Sequence, residues 1–290
     1  MTAVSPRPVL DEAYRECERV TRREAANFFY GIRLLPPPKR RAMCAAYAFA
    51  RRVDDIGDGD LPREDKLAAL ERERAGVALL RAGGTTGVDD PVLTALSDAA
   101  EGFELPIDAL DDLIDGVEQD VRGTRYETFD ELVVYCGRVA GSIGRLCVAI
   151  FGSSDPRQAV ARADELGVAM QLTNILRDVR EDLGNGRVYL PAEDLRRCGC
   201  TTPLEGVEGG VERLVRMEAA RDREWFARGL ELLPLLDSRS AACVLAMTGI
   251  YRRILERIEA DPLAVTRGRV SVPAWEKLMV AARSLAGMGA

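Results

Sequence analysis

The sequence predicts an all-α fold in a single domain, and three observations lead to that prediction. Apolar residues recur at helical spacing along almost the whole 290-residue chain, and no stretch shows the alternation of a β-strand. No low-complexity segment, fixed-period repeat or long linker interrupts the pattern. Hydrophobic residues make up 47% of the chain, more than a disordered protein contains. We therefore expect about ten helices around one core.

Proline and glycine divide the pattern into separate helices. A tail over residues 1–9 is expected to fray, and the first amphipathic helix covers residues 11–29. The prolines at 36–38 then break the chain and start a second helix that runs to residue 56, because proline fits the first turn of a helix. Glycine or proline also marks the later breaks. The later helices are predicted over residues 64–81, 91–102, 106–121, 128–151, 156–183, 211–233, 237–260 and 273–286.

The composition excludes several classes of function. The chain has 40 basic and 47 acidic residues, a net charge of −7, so it lacks the basic excess of a general nucleic-acid binder. It contains no histidine, which excludes a histidine base, nucleophile or metal ligand. Ser-His-Asp triads and zinc hydrolase sites are excluded with them. We expect no nucleic-acid partner.

Cysteine usage and hydropathy indicate the compartment. The seven cysteines are odd in number and mostly lie in apolar runs, as the reduced thiols of a cytosolic protein do. No apolar run approaches the ~18–20 residues that cross a bilayer, and the polar N-terminus does not resemble a signal peptide. We expect a cytoplasmic protein that at most rests weakly on a membrane surface.

Four pairs of aspartates have the spacing DxxxD, which places two carboxylates on one helix face, one turn apart. Two pairs lie in a generally acidic stretch, where a solvated face is the expected explanation. The other two lie in apolar helices, where a solvated face explains them poorly. The first two pairs are Asp108/Asp112 and Asp111/Asp115, and the other two are Asp54/Asp58 and Asp178/Asp182.

Paired carboxylates in an apolar helix repel, and a cation would offset that repulsion. Two carboxylates ~6 Å apart repel by ~3 kcal/mol at an effective dielectric of ~20. Asp178 and Asp182 also oppose the helix dipole, because they end a helix. Oxygen ligands select a hard ion, and Mg²⁺ usually binds through a few carboxylates and substrate phosphates. The sequence therefore predicts a Mg²⁺–diphosphate site between two facing helices.

The second of these pairs extends a longer polar stripe. Gln171, Asn174, Asp178 and Asp182 follow one another at spacings of three, four and four, so all four lie on one face of one helix. Apolar residues occupy the other faces. A polar stripe on an otherwise apolar helix is typical of the wall of a cavity, and we interpret it so.

The sequence contains four longer motifs, and two of them include the residues above. They are NFFYGIRLLPPPKRRAM at 27–43, YAFARRVDDIGD at 47–58, YCGRVAGSIG at 135–144 and QLTNILRDVREDLGNGRVYLP at 171–191. With these motifs the sequence resembles the squalene/phytoene synthase family of head-to-head prenyl transferases. The resemblance covers about residues 10–285. The first motif looks most like the bacterial presqualene diphosphate synthases of hopanoid pathways, and phytoene synthases share most of the others.

The resemblance implies an isoprenoid synthase helical bundle over residues 10–290, with the two aspartate motifs on opposite walls of a central apolar cavity. It implies three groups of site residues. The metal ligands for Mg²⁺, or Mn²⁺ in its place, are Asp54, Asp58, Asn174, Asp178 and Asp182. The catalytic residues are Tyr47, Arg51, Tyr135 and Arg177. The substrate-binding residues are Asn27, Phe28, Gln171, Asn174, Arg187, Tyr189, Tyr251 and Arg269.

The reaction implied by the resemblance is the condensation of two farnesyl diphosphates to presqualene diphosphate, with release of diphosphate. No NADPH is expected, because that branch of the family passes its intermediate to a separate enzyme. The base is a tyrosine, a carboxylate or the released diphosphate, and the sequence does not choose among them. Prenyl diphosphates are the only partners expected beyond a membrane surface.

Several alternatives remain open at this point. A phytoene synthase would condense two geranylgeranyl diphosphates, and a squalene synthase would complete the reduction with NADPH. A terpene cyclase or a non-catalytic helical scaffold is less consistent with the four aspartates. The length of the cavity would separate the first two, and four aromatic side chains near the first aspartate pair could shorten it. They are Phe28, Phe29, Tyr47 and Phe49.

Overall fold

The computed structural model describes residues 6–25, 28–83 and 90–285, and these residues are helical apart from loops and one short hairpin. The all-α prediction is confirmed. The hairpin, β1 (Cys200–Thr202) with β2 (Glu205–Gly206), is antiparallel and too short to produce an alternating pattern in the sequence. The α-helices are α1 (Pro6–Glu24), α2 (Phe28–Ile32), α3 (Pro37–Asp58), α4 (Arg63–Arg81), α5 (Pro91–Phe103), α6 (Asp108–Arg122), α7 (Phe129–Cys136), α8 (Ser142–Phe151), α9 (Pro156–Gly184), α10 (Ala192–Cys198), α11 (Gly210–Gly229), α12 (Ser238–Ala260), α13 (Ala264–Arg267) and α14 (Ala274–Leu285).

The N-terminal prediction needs two corrections. The expected tail over residues 1–9 is too long, because α1 already begins at Pro6, where proline is tolerated in a first turn. The helix predicted over 11–29 is two helices, since α1 ends at Glu24 and α2 begins at Phe28. The sequence also missed α10 and α13, which have only seven and four residues.

The longest helix, α9, lies at the centre of the bundle. It begins at Asp155, whose carboxylate accepts a hydrogen bond from the amide of Gln158 at 3.1 Å, and Pro156 follows in the first turn. It packs against α7, α8, α11 and α12. A helix surrounded in this way buries apolar residues on several faces, and this position brings its C-terminal half to the cavity described below.

The segment from Phe129 to Phe151 is one continuous helix with a π-helical turn, Gly137–Gly141, between α7 and α8. An 18-residue window within its 23 residues has a mean hydropathy of 1.4, so length and composition would allow the helix to cross a membrane, which corrects the expectation of no such run. Here it packs against α3, α6 and α9, as a core helix does. Gly167 of α9 permits that contact, because a Cβ there would lie 2.6 Å from the amide nitrogen of Gly141.

A cluster around Lys39 joins three helix ends at one end of the bundle. Its Nζ donates hydrogen bonds to the carbonyl oxygen of Phe151 at 2.5 Å, to Asp237 at 2.6 Å and to Ser240 at 3.2 Å. Lys39 lies in the first turn of α3, Phe151 ends α8, and Asp237 caps the start of α12. The cluster therefore fastens α3, α8 and α12 together.

All seven cysteines are free thiols, as predicted.

Candidate active site

A cavity of about 810 Å³, here called the polar chamber, lies among α3, α6, α7, α9 and α12. Fifteen of the sixteen predicted site residues line it, and the sixteenth, Asn27, lies outside the described residues. The structure therefore brings together side chains separated by more than 200 residues. Those lining it are Phe28, Tyr47, Arg51, Asp54, Asp58, Tyr135, Gln171, Asn174, Arg177, Asp178, Asp182, Arg187, Tyr189, Tyr251 and Arg269.

A second cavity of about 230 Å³, here called the apolar chamber, adjoins the first and shares seven lining residues with it. Small and aliphatic side chains of α3, α8, α9 and α12 form its walls, among them Ala46, Cys147, Gly167 and Val244. Phe151 also lines it. Along α9 the lining residues run from Asn174 to Ala163, a distance of ~16 Å at the helical rise. The predicted apolar cavity is thus present beside the polar one.

The four aspartates lie on two helices that face the polar chamber, as predicted. Asp54 and Asp58 belong to the last turns of α3, and Asp178 and Asp182 to those of α9. Burial, with Asp58 adding its charge, raises the pKa of Asp54 to about 7. Burial, with Asp178 adding its charge, likewise raises the pKa of Asp182 to about 7. The protein therefore leaves each pair in need of positive charge.

The donor set around these aspartates fits a hard divalent cation. Asn174 donates from Nδ2 to Gln171 at 3.2 Å, but its Oδ1 is buried without a hydrogen-bond partner. Within the described ranges, no group of three or more acidic or cysteine side chains is close enough to hold an ion by itself. The residues thus fit Mg²⁺ or Mn²⁺ bound jointly by carboxylates, an amide oxygen and substrate phosphates.

Arginines balance part of the negative charge. Arg187, in the loop after α9, reaches across to α3 and places Nη1 2.8 Å from Oδ1 of Asp58. On the other wall, Asp178 accepts a hydrogen bond from Nε of Arg177 at 2.9 Å and forms an ion pair with Arg269, whose Nε lies 3.1 Å from its Oδ1. Arg51 pairs with the neighbouring Asp55. These guanidinium groups lie where a diphosphate would need them.

Asp120 of α6 lines the polar chamber although the sequence interpretation overlooked it. Its two oxygens accept hydrogen bonds from Tyr135 at 2.8 Å and Tyr189 at 2.9 Å, and the two rings stack with centroids 5.3 Å apart. Burial raises the pKa of Asp120 to about 6, against the opposing effect of both hydroxyls. The sequence contains a pattern that indicates its burial. Asp120 follows Leu113, which is fully buried, by seven residues and therefore shares its helix face.

Three aromatic rings lie where the two chambers meet. Phe28 lies 6.2 Å from Tyr47 and 5.9 Å from Tyr251 between ring centroids, and all three line both chambers. Burial raises the pKa of Tyr47 to about 12, so its hydroxyl is neutral. Of the other rings expected near the cavity, Phe49 is fully buried in the core and Phe29 lies beneath arginines, so neither shortens it.

The remaining acidic pairs line neither chamber. Asp108 is exposed, as expected for a solvated face. Asp111, Asp112 and Asp115 are instead half-buried and ion-paired to other helices. Arg81 pairs with Asp108 at 2.8 Å, and Arg145 pairs with Asp112 at 2.7 Å. Asp111 and Asp115 are ion-paired as well. Surface ion pairs of this kind contribute little to stability.

Known proteins resemble this chain in sequence and in structure. The family model described as squalene/phytoene synthase matches residues 21–276. The phytoene synthase of Mycobacterium tuberculosis (strain ATCC 25618 / H37Rv) is 46% identical over 284 residues, which cover 96% of this chain and 92% of that protein. The phytoene synthase of Arthrospira platensis is 35% identical, with 92% and 91% covered.

Two solved structures have the same fold. The crystal structure of a dehydrosqualene synthase in complex with ligand superposes with a TM-score of 0.85 at 26% identity, covering 98% of this chain and 99% of the other. The squalene synthase HpnC from Alicyclobacillus acidocaldarius superposes with a TM-score of 0.77 at 29% identity, covering 87% and 94%.

Proposed function

Because the chain belongs to the squalene/phytoene synthase family of head-to-head prenyl transferases, we propose that its substrates are two molecules of geranylgeranyl diphosphate and its product is phytoene. The observation that carries the choice of substrate is the 46% identity with a phytoene synthase over nearly the whole chain. The two adjoining chambers support the reaction class. One presents paired carboxylates and arginines to diphosphates, and the other presents apolar walls to prenyl chains.

The polar chamber would bind the diphosphate groups. Asp54 and Asp58 from one wall, and Asp178 and Asp182 from the other, would hold Mg²⁺ with the Asn174 amide oxygen. Bound there, Mg²⁺ supplies Lewis-acid stabilisation of the diphosphate as a leaving group. The paired guanidinium groups would turn from their aspartates to phosphate oxygens and stabilise the negative charge that develops. Those arginines are Arg51, Arg177, Arg187 and Arg269.

The junction of the chambers would hold the reacting carbon atoms. When the C1–O bond of one substrate breaks, diphosphate leaves and an allylic cation remains. Phe28, Tyr47 and Tyr251 would exclude water from it, and their faces favour positive charge. The double bond of the second substrate then bonds to C1, and loss of a proton closes a cyclopropane. Departure of the second diphosphate, rearrangement and loss of another proton give phytoene without a reductant, so NADPH is not expected.

A second candidate product is presqualene diphosphate, made from two farnesyl diphosphates. Two observations favour it: the likeness to the HpnC structure, and the resemblance of residues 27–43 to the hopanoid branch. It uses the same first bond formation and cyclopropane closure, and the reaction stops there. The two candidates differ in the length of the prenyl chain that the apolar chamber must accept.

Product analysis separates the candidates. We expect the purified protein with Mg²⁺ and geranylgeranyl diphosphate to release pyrophosphate and form phytoene, with or without NADPH, as identified by mass spectrometry. Presqualene diphosphate formed preferentially from farnesyl diphosphate would establish the second candidate, and squalene formed only with NADPH would establish a reducing enzyme. No pyrophosphate release from either substrate would contradict the proposed function.

We also propose that the C-terminal segment contacts a membrane surface. On α14 the apolar side chains of Trp275, Leu278 and Met279 are exposed, to 61%, 55% and 46%. Apart from Arg269, which faces the polar chamber, residues 263–285 contain three basic residues and one acidic residue, although the whole chain has a net charge of −7. An apolar face with a tryptophan and basic neighbours suits an anionic bilayer.

Cosedimentation with vesicles tests this contact. We expect binding to vesicles rich in anionic lipid and weaker binding to zwitterionic ones, because the basic residues add electrostatic attraction. Trp275→Ala should reduce the bound fraction, whereas Val134→Ala, at an exposed position on α7, should not. Equal binding of both variants and the unmodified protein would show that another surface is responsible.

A further inference from the structure

Lys66, in the first turns of α4, lies at the edge of the polar chamber. Its Nζ donates a hydrogen bond to the carbonyl oxygen of Gly57, 2.8 Å away. Gly57 precedes Asp58 in the last turn of α3. Of the three lysines of the chain, Lys66 is the one that lines this chamber. The fold thus places an ammonium group beside an aspartate that would bind the metal.

Lys66 differs from the other cations of the polar chamber in its partner. Five basic side chains line the chamber, and the four arginines among them each pair with a carboxylate. Among the described residues Lys66 forms no ion pair, and its Nζ donates a hydrogen bond to the carbonyl oxygen of Gly57. Its ammonium group therefore has no directly paired carboxylate in the described part of the chain, although acidic side chains line the same chamber.

A second cation shares the same carbonyl oxygen. Arg187 donates to Gly57 from Nη2 at 3.1 Å, so its guanidinium and the ammonium of Lys66 lie within about 6 Å of each other. The carbonyl group is held in place, because a Cβ on Gly57 would lie 2.7 Å from Cγ1 of Val117, and only glycine allows α3 to approach α6 so closely. Arg187 already pairs with Asp58, so within the described ranges the ammonium of Lys66 is the cation of the two that has no ion-pair partner.

We propose that Lys66 and Arg187 form an anion subsite for one of the two substrate diphosphates, the one bound against α3. The proposal rests on the proposed function, in which two diphosphates are present at once. A diphosphate offers several charged oxygens, so it would accept a hydrogen bond from each cation. Lys66 would contribute a compact positive charge, and the planar guanidinium of Arg187 would donate hydrogen bonds in fixed directions.

A purely structural role for Lys66 makes a different prediction. A lysine at the end of a helix can satisfy a free carbonyl group and interact favourably with the helix dipole. Glutamine at position 66 would still donate to the Gly57 carbonyl, but it carries no charge. Arginine would keep the charge. The Lys66→Gln and Lys66→Arg variants therefore separate capping from anion binding.

Steady-state kinetics with a pyrophosphate competitor test the subsite. We expect Lys66→Gln to raise both KM for the prenyl diphosphate and the inhibition constant of inorganic pyrophosphate by about tenfold, with a smaller change in kcat. The melting temperature should stay the same. Lys66→Arg should remain close to the unmodified enzyme. Arg63→Gln, at an exposed position on the same helix outside the chamber, is the matched control.

Three results would overturn the proposal. They are unchanged constants in Lys66→Gln, an equal rise in Arg63→Gln, and a rise that accompanies a lowered melting temperature in both Lys66 variants. Calorimetric titration with inorganic pyrophosphate and Mg²⁺ keeps the test independent of turnover. If neither prenyl diphosphate reacts, the proposed function fails, but binding about tenfold weaker in Lys66→Gln would still support the subsite. Equal binding would exclude it.

Discussion

Replacing Asp54 by asparagine is expected to lower turnover by about a thousandfold or more while the fold survives. Asparagine has the shape of the aspartate but lacks the negative charge that a divalent cation requires. Pyrophosphate release at saturating substrate and Mg²⁺ measures the effect. Asp108→Asn is the matched control, since Asp108 has the same DxxxD spacing but is an exposed partner of Arg81. Unchanged turnover in Asp54→Asn would contradict the metal-site assignment.

The same substitution is expected to stabilise the metal-free protein at alkaline pH. The folded protein raises the pKa of Asp54 from its ordinary value of 3.8 to about 7, mainly through burial. The folded state therefore binds this proton more tightly than the unfolded state, so stability falls as the pH rises from about 4 to about 7. Asparagine removes this effect. The melting temperature of Asp54→Asn should exceed that of the unmodified protein at pH 8 without Mg²⁺, and the difference should shrink towards pH 5.

The second large effect is expected from Ala46→Phe. Ala46 is 3% exposed, lines the apolar chamber and precedes Asp54 by two helical turns, ~12 Å along α3. A phenyl ring there would occupy much of a chamber of about 230 Å³. The end of the longer prenyl chain should then no longer fit in the chamber. Each methylene group that is displaced changes the free-energy difference between the two substrates by ~1–3 kcal/mol. We expect the ratio of C20 to C15 turnover to fall by about a hundredfold.

Competition between the C15 and C20 diphosphates, with products identified by mass spectrometry, measures that ratio. Ala68→Phe, at an exposed position on α4, introduces the same ring away from the chamber and should leave the ratio unchanged. The melting temperature of Ala46→Phe must be measured as well, because overpacking a core position lowers the free energy of unfolding by ~1–3 kcal/mol. A folded Ala46→Phe variant with the original ratio would show that the prenyl chains do not reach this part of α3.

The polar stripe on α9 is the part of the site that the sequence alone could predict. Gln171, Asn174, Asp178 and Asp182 could be assigned to one cavity wall because helical spacing alone determines which side chains share a face. The positions along the chain of the helices that carry the site could be predicted from the same helical spacing of apolar residues. That Asp54 faces the same cavity was first a hypothesis from the shared need of both pairs for a cation, and the resemblance to a family supported it, since spacing within one helix does not say which helix lies opposite.

Side chains defined by tertiary contacts were harder to find. Asp120 acquires its role from Tyr135 and Tyr189, which approach from α7 and from the loop after α9. In the sequence it is one acid among many in an acidic helix. Lys66 is similar, because only the packing of α4 beside the end of α3 brings it to Gly57. Phe28 and Phe29 are the same residue type at neighbouring positions, so the sequence does not distinguish them. The orientation of α2 in the fold determines that Phe28 faces the chamber and Phe29 does not.

The cluster around Lys39 has a consequence for the kinetics of the enzyme. Lys39 binds the carbonyl oxygen of Phe151, which lines the apolar chamber, and Asp237 at the start of α12. The cluster thus fastens the bundle at that end, and we expect the hydrocarbon of the proposed function to leave through the polar chamber. Its transfer into water is opposed by ~0.8 kcal/mol for each methylene group exposed. We therefore expect a rapid first turnover followed by slow product release, with the steady rate set by the lipid or detergent that accepts the hydrocarbon.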